Sequence, residues 1–323
     1  MTQRAALRIL DDTTPAGPLT AEVCALVVGN FDGVHKGHQA VLAEAVETAR
    51  AQGLVASVLT FEPHPAAVVG RGAPAVLTTL DDRAELMGAL GVERVYVRRF
   101  DAAFASWQPE RFARELVAEA LGARVVVVGQ NFRFGAKRAG DLALLQSLGA
   151  ELGFEVRVHA ITSDARGRFS STRARVAIAA GDLEEVERVL GRPHALSGRV
   201  VHGAERGRTI NFPTANIAPV AEMLVPDGVY AVRAEILEDD GEVVPLPGGV
   251  TNIGMRPTVG GTSRTVETYL LGFAGDLYDQ RLRVHLVARL RDEQKFAGLD
   301  ELRTQITLDC IHARRKLGLP EAG

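Results

Sequence analysis

The chain has 323 residues, a formal net charge of -3 and a pI near 6.3. This length suits about two domains, each with its own core. The small net charge excludes a general nucleic-acid-binding surface, so any anion site must be local. The two cysteines support neither a disulfide framework nor a cysteine metal cluster.

The sequence also bears on the location of the protein. Its amino-terminal residues are mixed and polar, without the basic segment and apolar core of a signal peptide. No stretch approaches the roughly 20 consecutive apolar residues that a membrane helix needs. We therefore expect a cytoplasmic protein that binds neither membrane nor nucleic acid. A weak or transient homo-oligomer is left open.

The first clear element is an apolar strand over residues 23–28, which runs into a glycine-punctuated turn and then a helix. Apolar residues recur at helical spacing from Val41 to Ala49, and Gly53 predicts the end of this helix. His35 and His38 therefore lie where a strand's carboxyl end meets a helix's amino end. Free N–H groups and the helix dipole attract anions there, which predicts a phosphate site.

Strands and helices alternate through the rest of the first half. The pattern predicts strands over residues 54–61, 92–97, 125–128 and 154–158. Helices are predicted to follow Asp81-Asp82, Pro109 and a start near Thr172, and a capping box over residues 182–185 predicts a last one. This alternation favours a doubly wound, mainly parallel sheet. The domain boundary is placed near residues 191–193.

Three loops of the first half carry polar side chains at predicted element ends. His64 lies between two prolines, and Asn131 lies in a loop where Phe132 and Phe134 offer ring faces to a planar ligand. The hydroxyls and arginines of residues 168–175 can cap a helix and bond phosphate oxygens. On the residues alone, a proline-held turn, an aromatic-anchored loop and a capped surface helix explain these segments as well.

After residue 193, period-two strands replace the helical alternation. Strands are predicted over residues 229–237 and 282–290, with a return strand starting at residue 243. In the later strand, Arg283 and His285 fall on the face opposite the apolar side chains. Short strands with glycine-rich turns predict a small closed barrel. Apolar residues spaced from Leu299 to Leu317 predict a carboxyl-terminal helix that packs on it.

Chemistry-bearing residues of the second half concentrate in residues 197–216. The glycines there let backbone N–H groups approach phosphates, and Thr214 and Asn216 offer oxygens that suit Mg²⁺. Glu267 lies in an apolar, β-prone segment. A tight barrel corner and a solvent-facing strand glutamate are the alternative interpretations.

Taken together, these segments resemble one family over nearly the whole chain, the prokaryotic bifunctional riboflavin kinase/FMN adenylyltransferases, also called FAD synthetases. Residues 29–38 are similar to its nucleotidylyltransferase signature, residues 129–135 and 168–175 to its later motifs, and residues 197–216 to its riboflavin kinase signature. The resemblance implies an α/β nucleotidylyltransferase-like Rossmann domain over residues 1–190. It implies a small antiparallel β-barrel kinase domain with a C-terminal helix over residues 191–323.

The resemblance also implies two reactions and the residues that serve them. ATP would phosphorylate riboflavin to FMN with Mg²⁺ as cofactor, and FMN would then be adenylylated to FAD with release of pyrophosphate. His35 and His38 would act on the phosphates, Glu267 would be the kinase base, and Thr214 and Asn216 would hold the metal. The implied substrate- and nucleotide-binding residues are Gly29, Asn30, Phe31, Asp32, His64, Asn131, Arg168, Ser171, Thr172, Arg175, Gly198, Gly203 and Gly207.

Two residues depart from the family pattern. Asn211 stands where glycine is usual, and Tyr269 stands where histidine is common after Glu-Thr. Asparagine tolerates a left-handed backbone, so these changes bear on ligand affinity more than on the fold. Three alternatives stay open: only one half is active, the first half adenylylates another phosphorylated metabolite, or the chain is a flavin- or nucleotide-binding regulator without turnover.

Overall fold

The structure, a computed structural model, describes residues 6–10, 19, 22–70, 72–202, 212–239, 241–258 and 261–320. Gly203, Gly207 and Asn211 lie outside the described residues. Contacts divide the chain into two compact units, residues 1–75 with 80–170 and residues 76–79 with 171–323. None of the helices among the described residues is long and apolar enough to cross a membrane.

The first unit is built on six strands: β1 (Ala6–Leu10), β2 (Cys24–Val28), β3 (Val55–Glu62), β4 (Arg94–Arg99), β5 (Ala123–Gly129) and β6 (Glu155–His159). They form one sheet in the order β1-β4-β3-β2-β5-β6, and every neighbouring pair is parallel. All five residues of β2 are buried, as expected of a strand covered on both faces. The sequence pattern missed β1.

Helices accompany this sheet: α1 (Lys36–Gln52), α2 (Pro65–Val68), α3 (Leu80–Ala89), α4 (Ala102–Ala105), α5 (Pro109–Arg111, continuing as π-helical turns over Phe112–Ala120) and α6 (Leu142–Leu152). A short hairpin follows, with β7 (Ser163–Asp164) and β8 (Gly167–Arg168). Successive residues of β2, such as Leu26 and Val27, belong to different apolar clusters. The sheet therefore has a core on each face, which confirms the doubly wound prediction.

The second unit begins with two helices, α7 (Ser171–Ala180) and α8 (Leu183–Leu190). Six strands follow: β9 (His194–Val201), β10 (Ala215–Ala218), β11 (Gly228–Leu237), β12 (Val243–Thr258), β13 (Gly261–Leu270) and β14 (Arg281–Arg291). They close into an antiparallel barrel in the order β10-β13-β12-β11-β14-β9. The last helix is α9 (Leu299–Leu317), which contacts β11, β12 and β14. This confirms the predicted fold class.

The outer face of β14 is less exposed than its alternating pattern suggests. Arg283 is buried, and its Nε lies 3.3 Å from the Glu235 carboxylate. His285 is half-buried, and its Nε2 is 2.9 Å from the same carboxylate oxygen. Helix α8 packs on β9 and β14. Ion pairing with Glu235 therefore reduces the exposure of this face of β14.

The inward face of α9 also differs in part from the prediction. Ala313 and Leu317 are buried, but Leu299 at the start of the helix is 60% exposed. Asp309 is buried instead, since its carboxylate accepts hydrogen bonds of 2.8–3.1 Å from the Arg291 guanidinium. A bidentate pair of this kind offsets much of the cost of burying a charge.

The predicted boundary near residue 190 can be tested with two fragments, because α8 places Val186, Val189 and Leu190 at buried positions of the second unit. Burying each such side chain contributes about 1.5–3 kcal/mol. We expect a fragment of residues 171–323 to be more stable than one of residues 193–323 by at least about 4 kcal/mol. Urea unfolding measures this difference in stability. Both fragments lack residues 76–79, so that loss does not affect the comparison. Equal stabilities would show that α8 is dispensable.

Candidate functional site

Loops of the first unit meet at one edge of its sheet. Strands β3, β2 and β5 are parallel neighbours, so their carboxyl ends lie side by side. The residues that follow them include Gly29 and Asn30 after β2, His64 after β3, and Asn131 after β5. These predicted residues are thus brought together, while Arg168 lies exposed on β8. We call residues 29–34 the nucleotide loop.

The nucleotide loop has an unusual backbone. Phe31 and Val34, which are not glycine, have φ angles of 52° and 39°, and Gly33 between them has a φ of 83°. A left-handed conformation costs a residue with a Cβ roughly 1–2 kcal/mol. Phe31, Asp32 and Val34 are buried, and the Val34 N–H donates to the Phe31 carbonyl at 3.0 Å. Such strain persists only where the surroundings hold the loop firmly, as they do at ligand sites.

His35 ends the loop and caps helix α1. Its Nδ1 accepts a hydrogen bond from the backbone N–H of His38 at 3.2 Å. The two imidazoles stack with ring centroids 3.6 Å apart, and the Phe31 ring meets His38 at 5.0 Å. A Cβ on Gly37 would lie 3.1 Å from the His35 ring, so glycine leaves room for the cap. Both histidines therefore sit at the positive end of the α1 dipole.

His38 is held in the neutral form. Burial lowers its pKa well below 6.5, and the nearby His35 and Arg83 lower the pKa further. Within the described part of the chain, its Nδ1 is buried without a hydrogen-bond partner. A neutral imidazole with an unmet ring nitrogen is suited to contact a ligand that enters this site.

The lowered pKa predicts a pH effect on stability. Below about pH 6.5, the unfolded chain takes up a proton at His38 that the folded protein does not, so stability is lost as the pH falls. One proton contributes at most about 1.4 kcal/mol per pH unit. We expect acidification from about pH 7 to about pH 5.5 to lower the unfolding free energy of the wild type more than that of His38→Gln. Denaturant titrations at both pH values measure this; parallel losses would contradict it.

His64 and Asn30 contact each other across the strand ends. His64 Nδ1 accepts a hydrogen bond from the backbone N–H of Ala66 at 3.1 Å. Nε2 is 3.2 Å from the Asn30 amide. The Asn30 atom at this distance is the amide nitrogen Nδ2, and its Oδ1 is buried without a hydrogen-bond partner among the described residues. This accounts for His64 as a cap of α2, and its nucleotide-binding role stays a prediction.

Arg83 is a site residue that the sequence pattern missed. It lies in the first turns of α3 and is 7% exposed. Its guanidinium donates to the Asn30 carbonyl at 2.9 Å and to the Glu62 carboxylate at 3.0 Å. The sequence feature that could have indicated Arg83 is a basic residue directly after Asp81-Asp82, at the start of a predicted helix. The pattern attributed only a capping role to that segment, whereas the helix begins at Leu80 and includes both aspartates.

An aromatic cleft adjoins the nucleotide loop. Its volume is about 1070 Å³, including the part open to solvent, and its lining includes Gly29, Asn30 and Asn131. Two of its rings, Phe132 and Phe134, were expected to face a planar ligand; they stack with centroids 5.6 Å apart. The remaining aromatic residues of its lining are Phe61, Phe100, Phe104, Trp107 and Phe112.

The second phosphate motif lies in the second unit. Ser171 and Thr172 occupy the first turn of α7, where backbone N–H groups lack helical partners. Arg173 is engaged with Glu185, with its Nε 2.7 Å from the carboxylate. Arg175 lies one turn after Ser171. The phosphate-binding roles of Ser171, Thr172 and Arg175 stay predictions.

Two predicted kinase residues are direct neighbours in the barrel. Asn216 of β10 and Glu267 of β13 are register partners, so their side chains lie on one face with Cβ atoms about 4.5–5.5 Å apart. Asn252 of β12 is the partner of Glu267 on its other side and was not predicted. Glu267 is half-buried, and the Thr265 hydroxyl donates to its carboxylate at 3.4 Å. The row Asn216-Glu267-Asn252 presents three polar side chains together.

Thr214 lines a pocket in the second unit, together with Pro213 and Thr268; its volume is about 510 Å³, including the part open to solvent. Asn216 and Glu267 are not in its lining, because Thr268 and its neighbour Glu267 point to opposite faces of β13. The predicted metal ligand Thr214 lines this pocket, and Asn216, two residues further along the chain, lies in the row of three polar residues.

Gly198 has a structural reason to be glycine. A Cβ there would lie 2.7 Å from the Pro219 carbonyl oxygen and 2.9 Å from the Ile217 side chain. It lies inside β9, paired with Leu282 of β14. Close packing therefore accounts for this glycine, and its predicted approach to phosphate stays a prediction.

Tyr269 is one of the departures from the family pattern, and it lies two residues after Glu267 on β13. Its ring meets Phe212 edge-on, with centroids 5.1 Å apart. Burial raises the pKa of its phenol above the usual value, so the side chain is neutral. Tyr269 thus contributes packing at the position where an ionisable histidine is common.

Comparison with known proteins supports the two-part organisation. A family model described as FAD synthetase matches residues 18–173, and one described as riboflavin kinase matches residues 190–317. A solved structure described as a macrolide-efflux protein from Streptococcus pneumoniae is 30% identical, with a TM-score of 0.80 over 94% of this chain and 97% of that one. It shares the fold, and its description applies to that protein.

Curated relatives align over almost the full chain. The bifunctional riboflavin kinase/FMN adenylyltransferase of Escherichia coli strain K12 is 44% identical over 92% of this chain and 94% of its own length. The protein of the same name from Pseudomonas fluorescens is 42% identical over 93% of this chain and 94% of its own length. The predicted family and enzyme class are thereby confirmed. The chain belongs to the family of bifunctional riboflavin kinase/FMN adenylyltransferases.

Proposed function

We propose that this chain uses ATP to convert riboflavin to FMN and then FMN to FAD, with each reaction at its own site. The observation that carries this proposal is that the two enzyme models match separate segments, 18–173 and 190–317. The arrangement of candidate side chains supports it, since a histidine pair at a helix start and an Asn-Glu-Asn row are suited to different chemistry. The cytoplasmic location stays a prediction, and a weak or transient homo-oligomer is left open.

For adenylyl transfer, the aromatic cleft suits a flavin ring and the nucleotide loop suits ATP. A phosphate oxygen of FMN attacks the α-phosphorus of ATP, the α–β bond breaks, and pyrophosphate leaves. Negative charge grows on the leaving oxygens, where N–H groups at the start of α1 and the imidazoles of His35 and His38 stabilise it. Gly29, Asn30, Phe31 and Asp32 shape the loop around the nucleotide. Positioning and electrostatics supply the catalysis, without a covalent intermediate.

For phosphorylation, the row on the barrel provides a base and oxygen ligands. The ribityl hydroxyl of riboflavin attacks the γ-phosphorus of ATP, ADP leaves, and the Glu267 carboxylate accepts the hydroxyl proton. Thr214 and Asn216 carry neutral oxygens, which fit a hard cation that takes its other ligands from phosphates and water. These two residues would hold Mg²⁺, which neutralises phosphate charge when bound.

Product analysis tests this proposal. We expect the purified chain, incubated with riboflavin, ATP and Mg²⁺, to produce FMN first and FAD later, as resolved by chromatography. Incubation with FMN and ATP should give FAD and pyrophosphate directly. Formation of only one product would leave one half active, and binding of flavin without turnover would favour the regulator hypothesis. Either result would contradict the bifunctional assignment.

A further inference from the structure

The carbonyl of Asn30, at the start of the nucleotide loop, accepts two hydrogen bonds. The hydroxyl of Thr60 donates at 3.1 Å, and the Arg83 guanidinium donates at 2.9 Å. Thr60 is fully buried and Arg83 is nearly so. A carbonyl oxygen has two lone pairs, so these donors satisfy it completely. The loop is therefore tied at its first residues to both β3 and α3.

Arg83 is costly to keep at this position. Its second bond reaches the half-exposed Glu62, and its Nε is buried without a hydrogen-bond partner in the part of the chain that the structure describes. A buried donor without a partner destabilises the folded state. An apolar side chain would pack there without that cost. The contact of Arg83 that bears on the site is its hydrogen bond to the nucleotide loop.

A continuous series of contacts links this bond to the histidine pair. Asn30 directly precedes Phe31, which has a left-handed backbone conformation. The position of the Phe31 ring therefore depends on where the Asn30 carbonyl is held. The Phe31 ring meets His38, and His38 stacks on His35. A shift of the Asn30 carbonyl would therefore move both imidazoles relative to the nucleotide.

We propose that Arg83 is a positioning residue for adenylyl transfer, which holds His38 and His35 in place through Asn30 and Phe31. This inference rests on the proposed function of the first unit and adds a residue that the family motifs of the sequence did not include. Misplacement by about 1 Å can cost roughly 100-fold in rate. Loss of Arg83 should thus lower kcat while substrate binding changes little.

The test uses the full chain with two substitutions and a control. We expect Arg83→Met to lower kcat for FAD formation from supplied FMN by about 10- to 100-fold, with KM values within about threefold of wild type. Arg83→Lys keeps a donor for the Asn30 carbonyl and should recover at least part of this loss. Arg114→Met removes a half-exposed arginine of the same unit and should leave the rate unchanged. Riboflavin phosphorylation by the same samples should stay at the wild-type level.

A spectroscopic measurement separates positioning from turnover. The ring signals of His38, assigned by their absence from spectra of His38→Gln, should shift in Arg83→Met and return towards wild type in Arg83→Lys. Unchanged His38 signals, or a kcat for Arg83→Met within threefold of wild type, would overturn the proposal. So would equal losses for Met and Lys accompanied by a lower melting temperature. A wild type that makes no FAD would refute the proposed function instead, and the spectra would still test the positioning.

Discussion

Changing Glu267 to glutamine is expected to lower the rate of riboflavin phosphorylation by about 10²- to 10⁴-fold, the usual contribution of a general base. Glutamine keeps the shape of the side chain but cannot take the hydroxyl proton. The position of Glu267 between Asn216 and Asn252 supports this role, because all three side chains share one face of the barrel. The single-turnover rate at saturating riboflavin and ATP measures the effect.

Two controls accompany this measurement. Adenylylation of supplied FMN by Glu267→Gln should continue at the wild-type rate, since His35, His38 and the nucleotide loop lie in the other unit. Glu238→Gln changes an exposed glutamate just after β11 and should leave phosphorylation unaltered. If Glu267→Gln is folded by thermal melting and phosphorylates within about threefold of wild type, the carboxylate is not the base.

Replacing His38 with alanine is expected to lower FAD formation by about 10²- to 10³-fold, as is common when one donor to developing charge is lost. The imidazole is neutral, stacks on His35, and has an unmet ring nitrogen among the described residues. His38→Gln retains an N–H donor and should lose less. Rates of pyrophosphate release from ATP and FMN measure both variants.

Riboflavin phosphorylation is the internal control for the two His38 variants. Riboflavin phosphorylation should stay within about twofold of wild type in both variants, because the second unit carries its own candidate site. His312→Ala, an exposed position on α9, should affect neither reaction. An unchanged rate of FAD formation in folded His38→Ala would leave His38 with only its packing against His35 and Phe31.

Local patterns in the sequence were enough for most elements and for the histidine pair. The apolar run before Gly29 became β2, and Gly53 ended α1 in a left-handed conformation, because strand burial and helix termination depend on neighbouring residues. The Asp182 cap of α8 formed as predicted, with its carboxylate accepting from the Glu185 N–H. The change to period-two strands likewise predicted the barrel.

Only the tertiary structure decides which side chains that are far apart in the sequence contact each other. Arg83 reads as an ordinary helix residue, and it acquires a role only because α3 faces the ends of β2 and β3. The aromatic cleft draws on separate segments, from Phe61 to Phe134, which no local period connects. Arg283 and Asp309 are buried because their ion-pair partners lie on other elements. Burial of a charge depends on partners in space, and the sequence alone determines those partners only through the complete fold.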